Sequence, residues 1–532
     1  MLGMMGCQNH PNHTSCFKDN GYQADTVYIS GQVLNFPAGN SLRINYTKFI
    51  ENEYVKLNIT PDSLGYFEAR IPVINSTRLH LFYFMQGNII NLFAEPGEKI
   101  VIHSDWEKKT LAFSGEHARA HQDVCDYQCH VDSLSLSYGD VMDNSISHEE
   151  YLQRLTSEWN RADSLLNSYR KIHPAMSERA VAQVQTVNQN EFAYKLMQRR
   201  FLFYGRKDEA FPENYVQKAD SVFKCFTRPY TLMDVTFLRD YLDYYYDYQG
   251  GTYKNMKMIF EYLKANKGIV VTEEQQADID FINTPEMTKA INEAYEVLSQ
   301  MPEYEAALID RWSGGVELVS MPADLKELMY AYYYYFYLNG SQKAMYNENM
   351  QRFHSLVKNA DIARPVLELQ EKFVELAKQN MEDNLSLKGS EHLKDCKTGE
   401  ELYHKLLSPY QGKIVYLDVW GTWCSPCKQE MKYASAIKQA MKGKEMVFLY
   451  LANSSPEESW KNVIKEYSLA GAQAVHYNLP SKLQSMLEEY LQVEHYPTYL
   501  LIDRNGEIVD RNPPRPSSEN ELVDYLNKRL VD

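Results

Sequence analysis

Two cysteines separated by two residues, Cys424 and Cys427, stand where a buried-looking strand gives way to a helical pattern. The strand is IVYLDVW (414–420); Gly421-Thr422-Trp423-Cys424-Ser425-Pro426-Cys427-Lys428 follows, and an amphipathic run continues through Ala440. That junction explains the chemistry the pair suits. Unpaired amide hydrogens and the helix dipole at a helix N-terminus stabilise a thiolate, the species that attacks disulfides. Cys427 lies about one turn further on the same side, near enough to attack a mixed disulfide and release its partner. Pro426 falls in the first turn, where its missing N–H costs nothing. Trp423 offers an apolar cover.

The competing use of such a pair is a zinc knuckle, which needs two more ligands at comparable spacing. Cys396 is the one nearby cysteine, and neither it nor His404 completes a set. Elsewhere His117, His121, Cys125 and Cys129 recur every fourth residue along a helical stretch. Over three such steps the stripe drifts about 120° around the helix, too far for one tetrahedral ion. A Cys125–Cys129 bridge is disfavoured, because side chains at i and i+4 run parallel. The aromatic runs around Tyr241 and Tyr244–Tyr248, and around Tyr330 and Tyr332–Tyr337, suit either a peptide or sugar groove or a buried helix. Rings all round a helix favour burial.

The elements that must position the pair read as an α/β layer. MVFLYLA (446–452) is a second buried strand and EESWKNVIKEY a helix; AVHYNL is a third strand and LQSMLEEYL a helix. PTYLLID and EIVDR form a hairpin around Arg504-Asn505-Gly506, and ENELVDYLNKRL closes as a helix. Strands alternating with helices and ending in a hairpin specify a mixed sheet between helical layers.

Upstream the pattern differs. From Thr26 to about Ser114, eight alternating segments separated by PAGN, PDSLG and EPGE turns indicate a β-sandwich-like domain. From about Glu116 to Asp383 the period is helical, with helix starts at Thr284-Pro285-Glu286 and Met321-Pro322-Ala323 and no fixed repeat. The expected architecture is therefore multidomain α+β: a leader and linker over 1–23, a β-sandwich-like domain over 24–115, an irregular all-helical domain over 116–385 and an α/β sandwich over 386–532.

Composition excludes other classes. The 532 residues exceed a single core, which stops growing near roughly 250–300. With 44% hydrophobic and 24% charged residues the chain is globular, not disordered. Its net charge of −16 and lack of long Lys/Arg runs speak against nucleic acid as a partner. Eight cysteines are too sparse for a disulfide scaffold. The densest apolar run, Leu79 to Met85, is too short to span a membrane.

LDVWGTWCSPCKQE, EHYPTYLLIDRNGEIV and the order of elements between them resemble the thioredoxin fold, and within it the TlpA-like thiol–disulfide oxidoreductases. The resemblance covers about residues 396–532. Trp460 and the additional strand and helix before Tyr496-Pro497 are similar to that subgroup's central insertion. The resemblance implies Cys424 as nucleophile, Cys427 as resolving cysteine, and a redox-active Cys424–Cys427 disulfide. It also implies that Pro497 is the cis-proline facing the dithiol, and that Tyr496, Pro497 and Trp423 bind substrate. Asp418 is implied as a buried carboxylate relaying the resolving thiol's proton, and Glu430 as an acidic group one turn beyond; a solvated helix Glu is the plain alternative there. Ser425-Pro426 departs from the Gly-Pro of thioredoxins, which leaves the direction of electron flow open.

The implied activity is reduction of protein disulfides in the bacterial cell envelope, without a cofactor and with electrons from a membrane thiol donor. The alternative is an envelope binding or assembly protein whose dithiol is structural or vestigial. MLGMMGC followed by QNHPNHTS resembles the end of a lipoprotein signal, with Cys7 as the lipid anchor, although Met4 stands where Leu is usual. The six residues before Cys7 are too few to direct export; a truncated start would account for that, and a disordered terminus with a chance Cys is the plain alternative.

Overall fold

A computed structural model describes residues 16–85, 87–132, 145–200, 211–247, 261, 265, 301–381 and 385–531. Cys7, Tyr248 and the helix start at Thr284-Pro285-Glu286 lie outside the described residues. The chain divides into two compact units, one of Met1–Gly251, Trp312–Tyr332 and Leu356–Pro365, the other of Thr252–Arg311, Tyr333–Ser355 and Val366–Asp532.

In the first unit, eight strands form two four-stranded sheets: β1 (Asp25–Leu34), β2 (Leu42–Lys48), β3 (Glu53–Ile59), β4 (Tyr66–Val73), β5 (Thr77–Met85), β6 (Asn88–Ala94), β7 (Lys99–Asp105) and β8 (Thr110–Ser114). The strand orders are β4-β1-β7-β8 and β3-β2-β5-β6. Period-2 alternation builds the layer between them. In β4, Phe67, Ala69, Ile71 and Val73 point inward while their neighbours are exposed. Phe67 meets Phe84 of β5 edge to face at 5.3 Å.

Helix α1 (Ala118–Asp132) packs on this sandwich, with Cys125 in its core and Cys129 against it. That packing accounts for the every-fourth-residue stripe. His117 donates to Glu95 at 3.0 Å and His121 to Glu98 at 2.8 Å. Further helices are α2 (His148–Ile172), α3 (Glu178–Gln198), α4 (Glu213–Cys225), α5 (Val235–Tyr245), α6 (Pro302–Leu318), α7 (Ala323–Ser341), α8 (Asn347–Leu356) and α9 (Ala360–Lys378). Ser147, Ser177 and Asp234 cap α2, α3 and α5 through their side-chain oxygens. In α7, Tyr332, Tyr333, Tyr334 and Tyr337 are buried, the core-helix reading of that aromatic run. Helix α9 starts at Ala360 and carries Pro365 inside it. Asn359 sets that start, its side chain accepting from the Asp361 and Ile362 amides. No described helix is long and apolar enough to cross a membrane.

The second unit contains a six-stranded sheet with strand order β14-β13-β10-β11-β12-β9. Its elements are β9 (Leu387–Lys388), α10 (Gly399–Leu407), β10 (Ile414–Trp420), α11 (Ser425–Met431), α12 (Ala434–Ala440), β11 (Met446–Ala452), α13 (Glu457–Glu466), β12 (Ala474–Asn478), α14 (Ser481–Leu491), β13 (Thr498–Ile502), β14 (Ile508–Asp510) and α15 (Glu519–Val531). β10, β11, β12 and β9 run parallel, while β13 pairs antiparallel with β10 and β14 with β13. β10 is buried at every position, as a central strand covered on both faces must be. Ile414, Tyr416 and Trp420 enter one core layer with both cysteines of the pair. Val415, Leu417 and Val419 enter the opposite layer beneath α10 and α14. The expected helical run through Ala440 is two helices, broken at Lys432 and Tyr433.

Candidate active site

The turn after β10 carries the pair onto the end of α11. Cys424 is the N-cap residue, and the Cys427 amide donates to its Sγ at 3.1 Å. The two are disulfide-bonded, with Cα atoms 5.3 Å apart, and are 3% and 1% exposed. Pro426 occupies the first turn. Gly421 permits the tight approach: a Cβ there would lie 2.5 Å from the Trp423 indole nitrogen and 2.9 Å from the Asn453 carbonyl oxygen.

Trp423 is 48% exposed, with its indole N–H donating to the Asn453 carbonyl at 3.2 Å. Its ring meets that of Tyr496 edge to face at 5.0 Å. The Tyr496–Pro497 peptide bond is cis. Thus Trp423, next to Cys424, and Tyr496, next to Pro497, come together across some seventy residues of sequence.

Asp418 occupies the face of β10 that carries Tyr416 and Trp420, since side chains two apart share a face. It is 4% exposed and aligned by register with Tyr450 of β11 and Tyr499 of β13. Among the described residues its Oδ1 has no hydrogen-bond partner. Burial, and then the Glu430 carboxylate, push its pKa well above the usual carboxylate range. Burial also raises the phenols of Tyr416, Tyr450 and Tyr499, with the Asp418 charge acting in the same direction. Glu430, half-buried, accepts from the Ser517 amide at 2.8 Å and its hydroxyl at 3.0 Å.

Three further residues frame the site that no sequence motif singled out. Lys428 is 5% exposed and donates to the Asn339 carbonyl of α7 at 2.8 Å; burial lowers its pKa to about 8. Asn453 follows the buried strand β11, and Glu488 lies on α14. The one local signal was Gln484 four residues before Glu488, a spacing that lets the two bond along a helix. The pair does so at 2.7 Å.

Residues 412–508 match a family described as thioredoxin-like. The thiol–disulfide oxidoreductase ResA of Bacillus cereus is 33% identical over 122 residues, 23% of this chain. This chain spans 66% of that protein's length. ResA of Bacillus subtilis is 29% identical over 124 residues, 23% of this chain and 64% of its own. The thioredoxin domain of a thiol-disulfide oxidoreductase from Bacteroides vulgatus is 26% identical, covering 23% of this chain and 82% of its own, at a TM-score of 0.21. With its β10–α11 cysteine pair and mixed six-stranded sheet, the C-terminal region of this chain is a thioredoxin-like domain.

Proposed function

We propose that the protein is a thiol–disulfide oxidoreductase that reduces disulfides of other proteins. The observation that carries this reading is the Cys424–Cys427 disulfide at the start of α11, beside the Trp423–Tyr496 rim. In the reduced enzyme, the Cys424 thiolate attacks one sulfur of a substrate disulfide and expels the other as a thiolate. The Cys427 thiolate then attacks Cys424 Sγ, releasing the second substrate sulfur. Two electrons pass to the substrate, and the enzyme is left with the Cys424–Cys427 bond. Asp418, on the same face as the pair, takes up the proton that Cys427 loses; its burial favours the protonated form. Trp423, Tyr496 and Pro497 receive the substrate segment, and Glu430 acts on Asp418 through its charge. A membrane thiol donor restores the dithiol.

The test is reduction of insulin by the purified protein with dithiothreitol as electron source. Cys424→Ser abolishes it, and Cys427→Ser accumulates mixed disulfides with the substrate. Wild-type protein without exchange activity would sink the reading. The burial of both sulfurs favours one rival, a structural bridge in a binding or assembly protein. The two readings separate on the reduction potential. A catalytic pair equilibrates near the roughly −270 mV of thioredoxin or above, whereas structural bridges lie below about −300 mV.

The envelope is the compartment we assign, with Cys7 as a lipid anchor. Several acyl chains hold a protein stably, at about 0.8 kcal/mol per buried CH₂. Expressed from an upstream start, the protein fractionates with membranes and Cys7→Ser releases it. Recovery of the unsubstituted protein in the cytosol would overturn this assignment and leave the dithiol chemistry standing.

A further inference from the structure

Four hydrogen bonds from three side chains converge on one half-buried carboxylate beside the dithiol. The Asn453 side-chain amide reaches both oxygens of Glu488 at 2.9 Å. The Tyr496 hydroxyl donates to Oε2 at 2.8 Å, and the Gln484 amide to Oε1 at 2.7 Å. These bonds use both oxygens about as fully as a carboxylate allows, and bonds to an ionised acceptor are roughly twice as strong as neutral ones. Burial, and then the Glu488 charge, raise the Tyr496 phenol, so its hydroxyl stays a donor.

Two of the donors belong to separate loops, one after β11 and one before β13. Asn453 leads the loop after β11, and its main chain already holds the dithiol turn. Its amide donates to the Trp420 carbonyl at 2.7 Å, and its carbonyl accepts the Trp423 indole N–H at 3.2 Å. Tyr496 lies near the end of the loop before β13. Bonds therefore run from Trp423 through Asn453 and Glu488 to Tyr496, and the contact between the Trp423 and Tyr496 rings closes the circuit. Trp423 adjoins Cys424 and Tyr496 adjoins Pro497, so this circuit forms the rim of the reactive disulfide.

We propose that Glu488 is a positioning residue that clamps the Asn453 loop to the Tyr496 loop and so fixes the Trp423–Tyr496 rim on which a substrate's disulfide segment is laid. The clamp touches neither sulfur. It acts on how well a folded or extended polypeptide is held, and much less on the sulfur exchange itself. This rests on the oxidoreductase reading above.

The test is steady-state insulin reduction by wild type, Glu488→Ala, Glu488→Gln, Tyr496→Phe and the Glu488→Ala/Tyr496→Phe double variant. Glu488→Ala is expected to raise KM about tenfold, with kcat changed by less than about threefold. Glu488→Gln keeps a carbonyl acceptor and falls between wild type and Glu488→Ala. Tyr496→Phe removes one oxygen, keeps the ring contact, and raises KM on a protein whose fold is intact by circular dichroism. The double variant matches Glu488→Ala, because the same bond has already been lost. A KM unchanged in Tyr496→Phe and Glu488→Gln, or effects that simply add, would overturn the clamp while wild-type activity upholds the oxidoreductase reading. A wild type that reduces no insulin would overturn that reading and the clamp with it.

Discussion

Glu95 of the sandwich unit and Asp418 of the thioredoxin-like domain are both carboxylates removed from water, at 6% and 4% exposure, and their surroundings treat them in opposite ways. Glu95 accepts from the Lys18 amide at 2.7 Å, from Arg179 at 2.6 Å and from His117 at 3.0 Å. Desolvation pushes its pKa up, but the Lys18 amide, Arg179 and His117 outweigh that and hold it below the usual range. Asp418 has tyrosines as register neighbours and a bare Oδ1, and it is held well above that range. A buried charge that is fully bonded ties elements together. One left unbonded costs stability.

The largest expected effect breaks the satisfied side of this contrast. Glu95→Gln leaves Arg179 facing a neutral group and should cost about 3 kcal/mol in urea unfolding at pH 7. A loss below about 1 kcal/mol would mean that the Lys18 amide and Arg179 find replacement acceptors.

Asp418→Asn works in the other direction. It removes a buried ionisable group of nearly the same shape and should raise stability at pH 7 by about 1–3 kcal/mol. It should also slow the Cys427 attack that resolves the mixed disulfide in the proposed reaction. A loss of stability would show that the charged form is satisfied after all.

The pH dependence follows with opposite signs. Glu95 binds its proton less readily folded than unfolded, so its contribution is complete above the ordinary carboxylate range and is lost as pH falls through its folded value. Asp418 keeps its proton more readily when folded. Stability therefore declines as pH rises from the ordinary carboxylate range toward its folded value. Urea titrations between pH 3 and 8 should show the acid-side loss become shallower in Glu95→Gln and the neutral-side decline become shallower in Asp418→Asn. Slopes identical to wild type in both variants would refute the contrast.

The smallest effect is that of Glu430→Gln. It removes the one charge that adds to burial in raising Asp418, and should move the neutral-side decline to lower pH. A shift to higher pH would show that Glu430 acts through Ser517 and not through its charge.

Much of the site was legible along the chain because its signals are local. An apolar run of seven residues followed by Cys-Ser-Pro-Cys specifies a central strand, a turn and a helix start, since Pro suits a first turn and a covered strand must be apolar throughout. The same run placed Asp418 among buried neighbours. The His117 to Cys129 stripe was equally visible as one helix face, but its meaning was not. Glu95 and Glu98 lie more than twenty residues away and reach it only because the turn from β6 into β7 lies beside the start of α1.

What the sequence by itself determined is the dithiol at the head of a helix, the alternation that builds the sandwich, and the burial of β10, all consequences of periodicity and backbone preference over a few residues. Tertiary structure alone decided which groups face them. Strand register set Tyr450 and Tyr499 on either side of Asp418, and loop packing brought Asn453 and Tyr496 to the Glu488 carboxylate. Lys428 met a carbonyl 89 positions earlier in the chain. Such partners are chosen by the sheet and the helix layers as they close, because a single hydrogen bond has a range of about 3 Å and no signature along the chain.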